Sequence, residues 1–101
     1  MLPRVSLVKC NEADYLLFST NDAISQMLYQ TGQWEDYLLV ISRAFLQGVS
    51  NPLVVDIGAN LGSYSIPIAK GIQNIGGSVI GFEPLRIVYY QLCGNIILSK
   101  L

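Results

Sequence analysis

The sequence predicts an α/β domain with a parallel sheet, and three observations lead to that prediction. Two short apolar runs, Leu53–Ile57 and Ser78–Phe82, lack the alternation of a strand with one wet face, so we expect both faces to be covered. A glycine-rich turn and a helical pattern follow the first run. A second helical pattern, over about 85–98, follows the second run. Strand, helix, strand, helix is a βαβα unit, which implies parallel strands and a right-handed crossover.

The composition limits what this domain can be. Of its 101 residues, 51% are hydrophobic and only 13% are charged, against about 25% charged in an average soluble domain. No apolar run approaches the roughly 20 residues that a membrane-spanning helix needs, so we expect no membrane span. The excess of apolar over charged residues predicts instead that part of the structure that would cover this core is missing from the chain.

Residue counts exclude several chemistries. The chain has no histidine, which excludes a Ser-His-Asp triad and a histidine-ligated metal site, and we expect no metal. Six basic against seven acidic residues argue against a nucleic-acid partner. Cys10 and Cys93 form no C-x-x-C pair, and no N-x-[ST] sequon is present. These features indicate a cytoplasmic protein with two free thiols.

The pattern of the segment 1–50 predicts lead-in strands and helices. Val5–Lys9 and 15–18 are β-prone, and the N-cap residues of 19–22 precede a short helix that ends near Gly32. A second helix follows, with Glu35 and Asp36 in its first turn and Gly48 just past its end. Its apolar residues recur at helical spacing and predict a stripe that faces the core. The stripe consists of Trp34, Tyr37, Leu38, Ile41, Ala44 and Phe45.

Pro67 complicates the helix that follows the glycine-rich turn. The pattern runs from Ser63 to about Lys70, and a proline inside a helix costs about 3 kcal/mol. We therefore expect either a kink or a helix that starts late, with Ser63 or Ser65 as its N-cap.

The glycine-rich turn, DIGANLG at 56–62, stands where α/β sheets bind nucleotides. Glu83 lies about 20 positions further on, where an acidic residue holds a ribose hydroxyl. The dinucleotide fingerprint would need glycine at Asn60 and Ser63, and the Asp56 carboxylate would repel a pyrophosphate. S-adenosylmethionine has a ribose, an ammonium and a sulfonium but no phosphate, so it fits better. A dinucleotide-binding domain stays as a weaker alternative.

These residues carry a family resemblance. The stretch VDIGANLGSYS at 55–65, the triplet Phe82-Glu83-Pro84, and then Leu92 and Asn95 resemble the FkbM family of S-adenosylmethionine-dependent methyltransferases. GQWE at 32–35 is similar to the G-x-[WY]-E element of that family. The resemblance implies an incomplete Rossmann-like class I methyltransferase fold, with 51–101 as a partial S-adenosylmethionine-binding domain. It also implies methyl transfer to an oxygen of a small-molecule or glycan acceptor.

The family pattern transfers residue by residue. It implies that Asp56, Gly58, Ala59, Asn60 and Gly62 bind the cofactor, mainly on its methionine side, and that Glu83 holds the ribose. It identifies neither a catalytic base nor an acceptor site. Family members are about twice as long, so the resemblance also implies that this chain is the front part of such a domain.

Other readings stay open at this point. The two turn glycines and Asn60 suit tight turn geometry without any ligand, Asp56 suits a helix cap, and Glu83 suits an exposed loop. The chain is then either an enzyme or enzyme fragment, or a non-catalytic domain that associates with another chain. For the second case we expect self-association through the open sheet edge.

Overall fold

A computed structural model of the chain describes residues 4–18 and 22–101. Strands pair in two separate sheets, β1 with β2 antiparallel and β3 with β4 parallel. A short 3-10 turn, Gln73–Ile75, precedes β4. The prediction of an α/β domain with a parallel strand pair and helices is confirmed. The elements are β1 Val5–Lys9, β2 Asp14–Phe18, α1 Ala23–Thr31, α2 Asp36–Leu46, β3 Leu53–Ile57, α3 Ser65–Ile72, β4 Ser78–Phe82 and α4 Arg86–Leu98.

The lead-in elements follow the prediction closely. β1 and β2 form an antiparallel pair in which Val5 lies opposite Phe18. Helix α1 is capped by Asp22, whose Oδ2 accepts a hydrogen bond from the Ser25 backbone N–H at 2.9 Å. It ends at Gly32, whose φ of 76° is left-handed as a helix C-cap requires. The remaining residues of the predicted cap cluster, 19–21, lie outside the described residues.

Helix α2 starts later than its pattern suggests and buries a different face. Glu35 has left-handed φ and ψ and precedes the helix, so only Asp36 lies in the first turn. Of the predicted core stripe only Trp34 packs against the core, and the prediction is wrong for the others, since Tyr37 is 64% and Phe45 80% exposed. The buried residue is Leu39. The physical reason is that apolar side chains run nearly all round this helix, so periodicity alone does not select the face that packs.

The parallel strands are covered on one face only. Val54 and Val79 pack against Ile68 and Ile72 of α3, whereas alternate side chains point to solvent. Two covered faces, which the strand pattern predicts, are therefore not found, and the uncovered face agrees with the excess of apolar residues in the composition. An unbroken apolar run indicates that both faces of a strand can be buried. Whether each face is buried depends on helices or strands that are remote in the sequence.

Pro67 is accommodated by the late start of α3. The helix begins at Ser65, which makes Pro67 its third residue, where a backbone N–H has no partner within the helix. Helical hydrogen bonds from the Ile66 N–H to the Gly62 carbonyl and from the Ile68 N–H to the Tyr64 carbonyl flank the proline, which cannot donate the one between them. The missing bond lies at the start of α3, and the prediction of a late start is confirmed. The prediction that Ser63 or Ser65 is the N-cap is wrong. Tyr64 occupies the N-cap position, and its side chain makes no capping hydrogen bond.

Two apolar clusters form the core, and α3 contributes to both. Leu39, Ile68 and Ile72 form the smaller one. The larger one joins residues of the segment 1–50 to Leu61 and Ile66, so both halves of the chain share it. Its buried members are Ala13, Tyr15, Leu17, Leu28, Leu61 and Ile66. Within the described ranges, no helix has the length and apolar character to cross a membrane.

Candidate functional site

The turn after β3 needs unusual backbone angles at alternate positions. Gly58 has φ 79°, Asn60 φ 54° and Gly62 φ 105°, all in the left-handed region. Glycine enters this region without a steric penalty, and asparagine does so more readily than most residues. The residue types of the turn are therefore required by its shape, whatever it binds.

Every backbone N–H group from 58 to 62 donates a hydrogen bond inside the chain, at 2.8 to 3.1 Å. The acceptors are the Phe82 carbonyl for Gly58 and Ala59, the Glu83 carboxylate for Asn60, the Asn60 side chain for Leu61, and the Ala59 carbonyl for Gly62. Phosphate-binding loops instead aim such N–H groups at the anion. These five groups are not available to a pyrophosphate, in agreement with the missing fingerprint glycines.

Glu83 fastens this turn to the next helix. One carboxylate oxygen, Oε1, accepts from the Asn60 N–H, and the other, Oε2, accepts from the Leu85 N–H, each at 2.9 Å. A carboxylate has about four lone-pair sites, so Glu83 can accept further hydrogen bonds from a ligand. The residue predicted to hold a ribose thus also holds the turn in place.

Asp56 reaches the site from the covered face of β3. Its Oδ2 accepts a hydrogen bond from the Ser65 hydroxyl at 2.6 Å, the short distance expected when the acceptor is charged. On the opposite side of the turn, the Tyr64 hydroxyl donates to Ser42 Oγ at 2.8 Å. These two contacts tie the turn to α3 and to α2.

A pocket of about 300 Å³ lies between the turn and α2, at the lower end of the range for small-molecule sites. Among the described residues that line it, two are acidic, two are aromatic and none is basic. Such a lining favours a ligand that is positively charged and partly apolar. The lining residues are Ile24, Trp34, Glu35, Leu38, Leu39, Ser42, Asp56, Gly58, Ala59, Asn60, Ser63 and Tyr64.

The structure brings four of the six predicted cofactor residues to this pocket, namely Asp56, Gly58, Ala59 and Asn60. Gly62 is buried and faces the core, where a Cβ would lie 2.6 Å from Ile66 Cδ1. Glu83 lies behind the turn, bonded to Asn60, and is not part of the pocket lining.

The pocket also contains residues that the motif of the turn does not indicate. Trp34, Glu35, Leu38 and Ser42 come from the segment 1–50 and form the wall opposite the turn. The similarity of GQWE to an upstream family element was the one signal for the first two. Glu35 has φ 50°, an uncommon angle for a residue other than glycine.

Comparison with protein-family models, curated proteins and solved structures finds no match for this chain. Within the described ranges, no three histidine, cysteine or carboxylate side chains lie together in a way that could hold a metal ion.

Proposed function

We propose that this chain binds S-adenosylmethionine in the pocket beside the 58–62 turn and serves methyl transfer to an oxygen nucleophile, as in FkbM-type methyltransferases with a Rossmann-like fold. The observation that carries the proposal is the acidic pocket lining, with Asp56 and Glu35 and no basic residue, at a turn whose N–H groups are all occupied. This combination suits a cation and disfavours a phosphate.

The two halves of the cofactor would contact different parts of the site. The pocket volume of about 300 Å³ suits the methionine half, with its ammonium and sulfonium near Asp56 and Glu35. Trp34 and Tyr64 also line this space, and aromatic rings attract cations that lie over their faces. The adenosine half would follow the end of β4, where Glu83 has lone pairs left for ribose hydroxyls.

The cofactor, when bound, supplies a methyl group that its sulfonium already activates. The residues of this chain would then bind and orient the donor, and proximity of donor and acceptor supplies much of the rate in such transfers. We assign binding roles to Asp56, Gly58, Ala59, Asn60 and Glu83. Gly62 we assign to packing, because its missing Cβ makes room for Ile66.

Calorimetric titration of the purified chain with S-adenosylmethionine and S-adenosylhomocysteine tests this proposal. We expect saturable binding of S-adenosylmethionine. Asp56→Asn should weaken it by about tenfold, equivalent to about 1.4 kcal/mol, because a neutral amide attracts the ligand's positive charges less strongly. Glu35→Gln should weaken it as well, by a smaller factor, since Glu35 is more exposed.

Asp14→Asn is the matched control, because it removes one negative charge outside the pocket and should leave the affinity unchanged. Absence of binding at millimolar ligand would contradict the proposal. Binding of NADH in place of S-adenosylmethionine would favour the dinucleotide alternative.

A further inference from the structure

The β3–β4 sheet has one uncovered side, which we call the open face. It points away from α3, since the alternate residues Val54 and Val79 pack against that helix. Its five large apolar side chains are between 46% and 78% exposed. The open face consists of Leu53, Val55, Ile57, Ser78, Ile80 and Phe82.

The open face suits contact with an identical surface. In the sheet register, Val55 lies beside Ile80 and Ile57 beside Phe82, and no position of the face is ionisable. A two-fold interface buries the same surface of both copies, so an unpaired charge on that surface would be desolvated twice. The open face has none, and the formal net charge of −1 gives little repulsion between copies.

The solvent-accessible surface of the chain also favours a covered interface. The chain exposes 6615 Å². A monomer of 11.1 kDa is expected to expose roughly 5,650 Å², so the excess is roughly 950 Å². Stable protein interfaces bury about 800 Å² on each partner. The excess area is thus of the size that one interface would cover.

We propose that a second copy of this chain covers the open face in a two-fold dimer, with the two sheets packed face to face about 10 Å apart. Asp56 alternates with Val55 and Ile57, so its side chain lies on the covered side of the sheet, with the pocket. Ligand binding and dimer formation therefore use opposite sides of β3, and each can be tested independently.

Light scattering and sedimentation equilibrium of the whole chain across the micromolar range test this proposal. We expect a dimer of twice 11.1 kDa. Val55→Lys and Ile80→Lys should each weaken dimerisation at least tenfold, because each buries an unpaired ammonium group twice in the interface. Phe45→Lys is the matched control. Phe45 on α2 is 80% exposed, and its replacement should leave the dimer intact.

Circular dichroism and urea unfolding establish that each variant is folded. A monomeric wild-type chain would overturn the proposal and leave the open face to a different partner. A dimer that survives both open-face lysines, or one that Phe45→Lys disrupts equally, would overturn it as well and would assign association to another surface.

Discussion

The buried amide side chain of Asn95, on α4, connects strand β2 to the turn after β3. Asn95 is 0% exposed, and its Oδ1 accepts from the Leu16 N–H at 2.7 Å. Its Nδ2 donates to the Leu61 carbonyl at 2.8 Å. Gln91 Nε2 donates to the Leu16 carbonyl at 2.7 Å. Side chains thus satisfy the edge of β2 where another strand would otherwise pair.

Replacing Asn95 with leucine should lower the free energy of unfolding by about 2–4 kcal/mol. The substitution keeps the volume similar but leaves two groups without partners. The buried Leu61 carbonyl costs about 1–3 kcal/mol, and the half-buried Leu16 N–H costs less. Urea denaturation measures the change. Asn74→Leu on the exposed surface is the control and should change stability by less than about 0.5 kcal/mol. Equal effects of the two substitutions would contradict this role of Asn95.

Between elements, an ion pair joins the β1–β2 connection to α2. The Arg43 guanidinium donates from Nη2 to Glu12 Oε2 at 2.6 Å and from Nη1 to Oε1 at 3.2 Å. The Arg43 and Glu12 side chains are 42% and 29% exposed, so solvent screens the interaction. The hydrogen bond from Arg43 lowers the pKa of Glu12 below its ordinary value.

A lowered pKa in the folded state makes this pair's contribution depend on pH in a definite direction. The contribution is complete above the ordinary Glu pKa and is lost as the pH falls through the lower pKa of the folded state. We expect it to be about 0.5 kcal/mol after screening. In urea unfolding, the stability difference between wild type and Glu12→Gln should shrink from near pH 7 to about pH 3. A difference that stays constant would contradict the expectation, and added salt should reduce it at neutral pH.

The elements also show where sequence patterns succeed and where they fail. The start and end of α1 follow from Asp22 and Gly32, because caps act on backbone groups within three or four residues. The delayed start of α3 follows from Pro67 for the same local reason. The buried side of α2 does not follow, because it depends on contact between Leu39 and Ile68, which are 29 positions apart in the chain.

At the scale of the whole molecule, the larger core cluster spans the division at residue 50 that the sequence suggests. Tyr15 and Leu28 pack in one cluster with Leu61 and Ile66, and Trp34 packs against it. Neither segment can unfold without exposing apolar surface of the other. We therefore expect the two segments to form a single unit of stability.

We expect one cooperative unfolding transition for the chain. In urea, the fluorescence of Trp34, the only tryptophan, and the far-ultraviolet circular dichroism should give coincident curves, because one shared core unfolds in one step. The Val55→Lys variant serves as a parallel sample in which association is weakened. Two separated transitions would show that 1–50 and 51–101 are stable independently.

For the candidate site, sequence spacing identified the turn and its acidic neighbour but not their contacts. Asp56, Gly58, Ala59 and Asn60 do line one pocket. The bonding of both Glu83 oxygens depends on how closely β4 approaches the turn after β3. The spacing of residues along the chain does not determine the distance between β4 and the turn.

The sequence by itself determined the order and approximate bounds of the strands and helices and the left-handed turn positions, because these depend on a few neighbouring residues. It also identified Asp56 and Glu83 as the acidic residues of interest. Only the tertiary structure decided which face of α2 is buried, that Gly62 packs in the core, that Trp34 and Glu35 complete the pocket, and which of the two sheet faces is uncovered. Each of these depends on packing between residues remote in the chain, which no local pattern records.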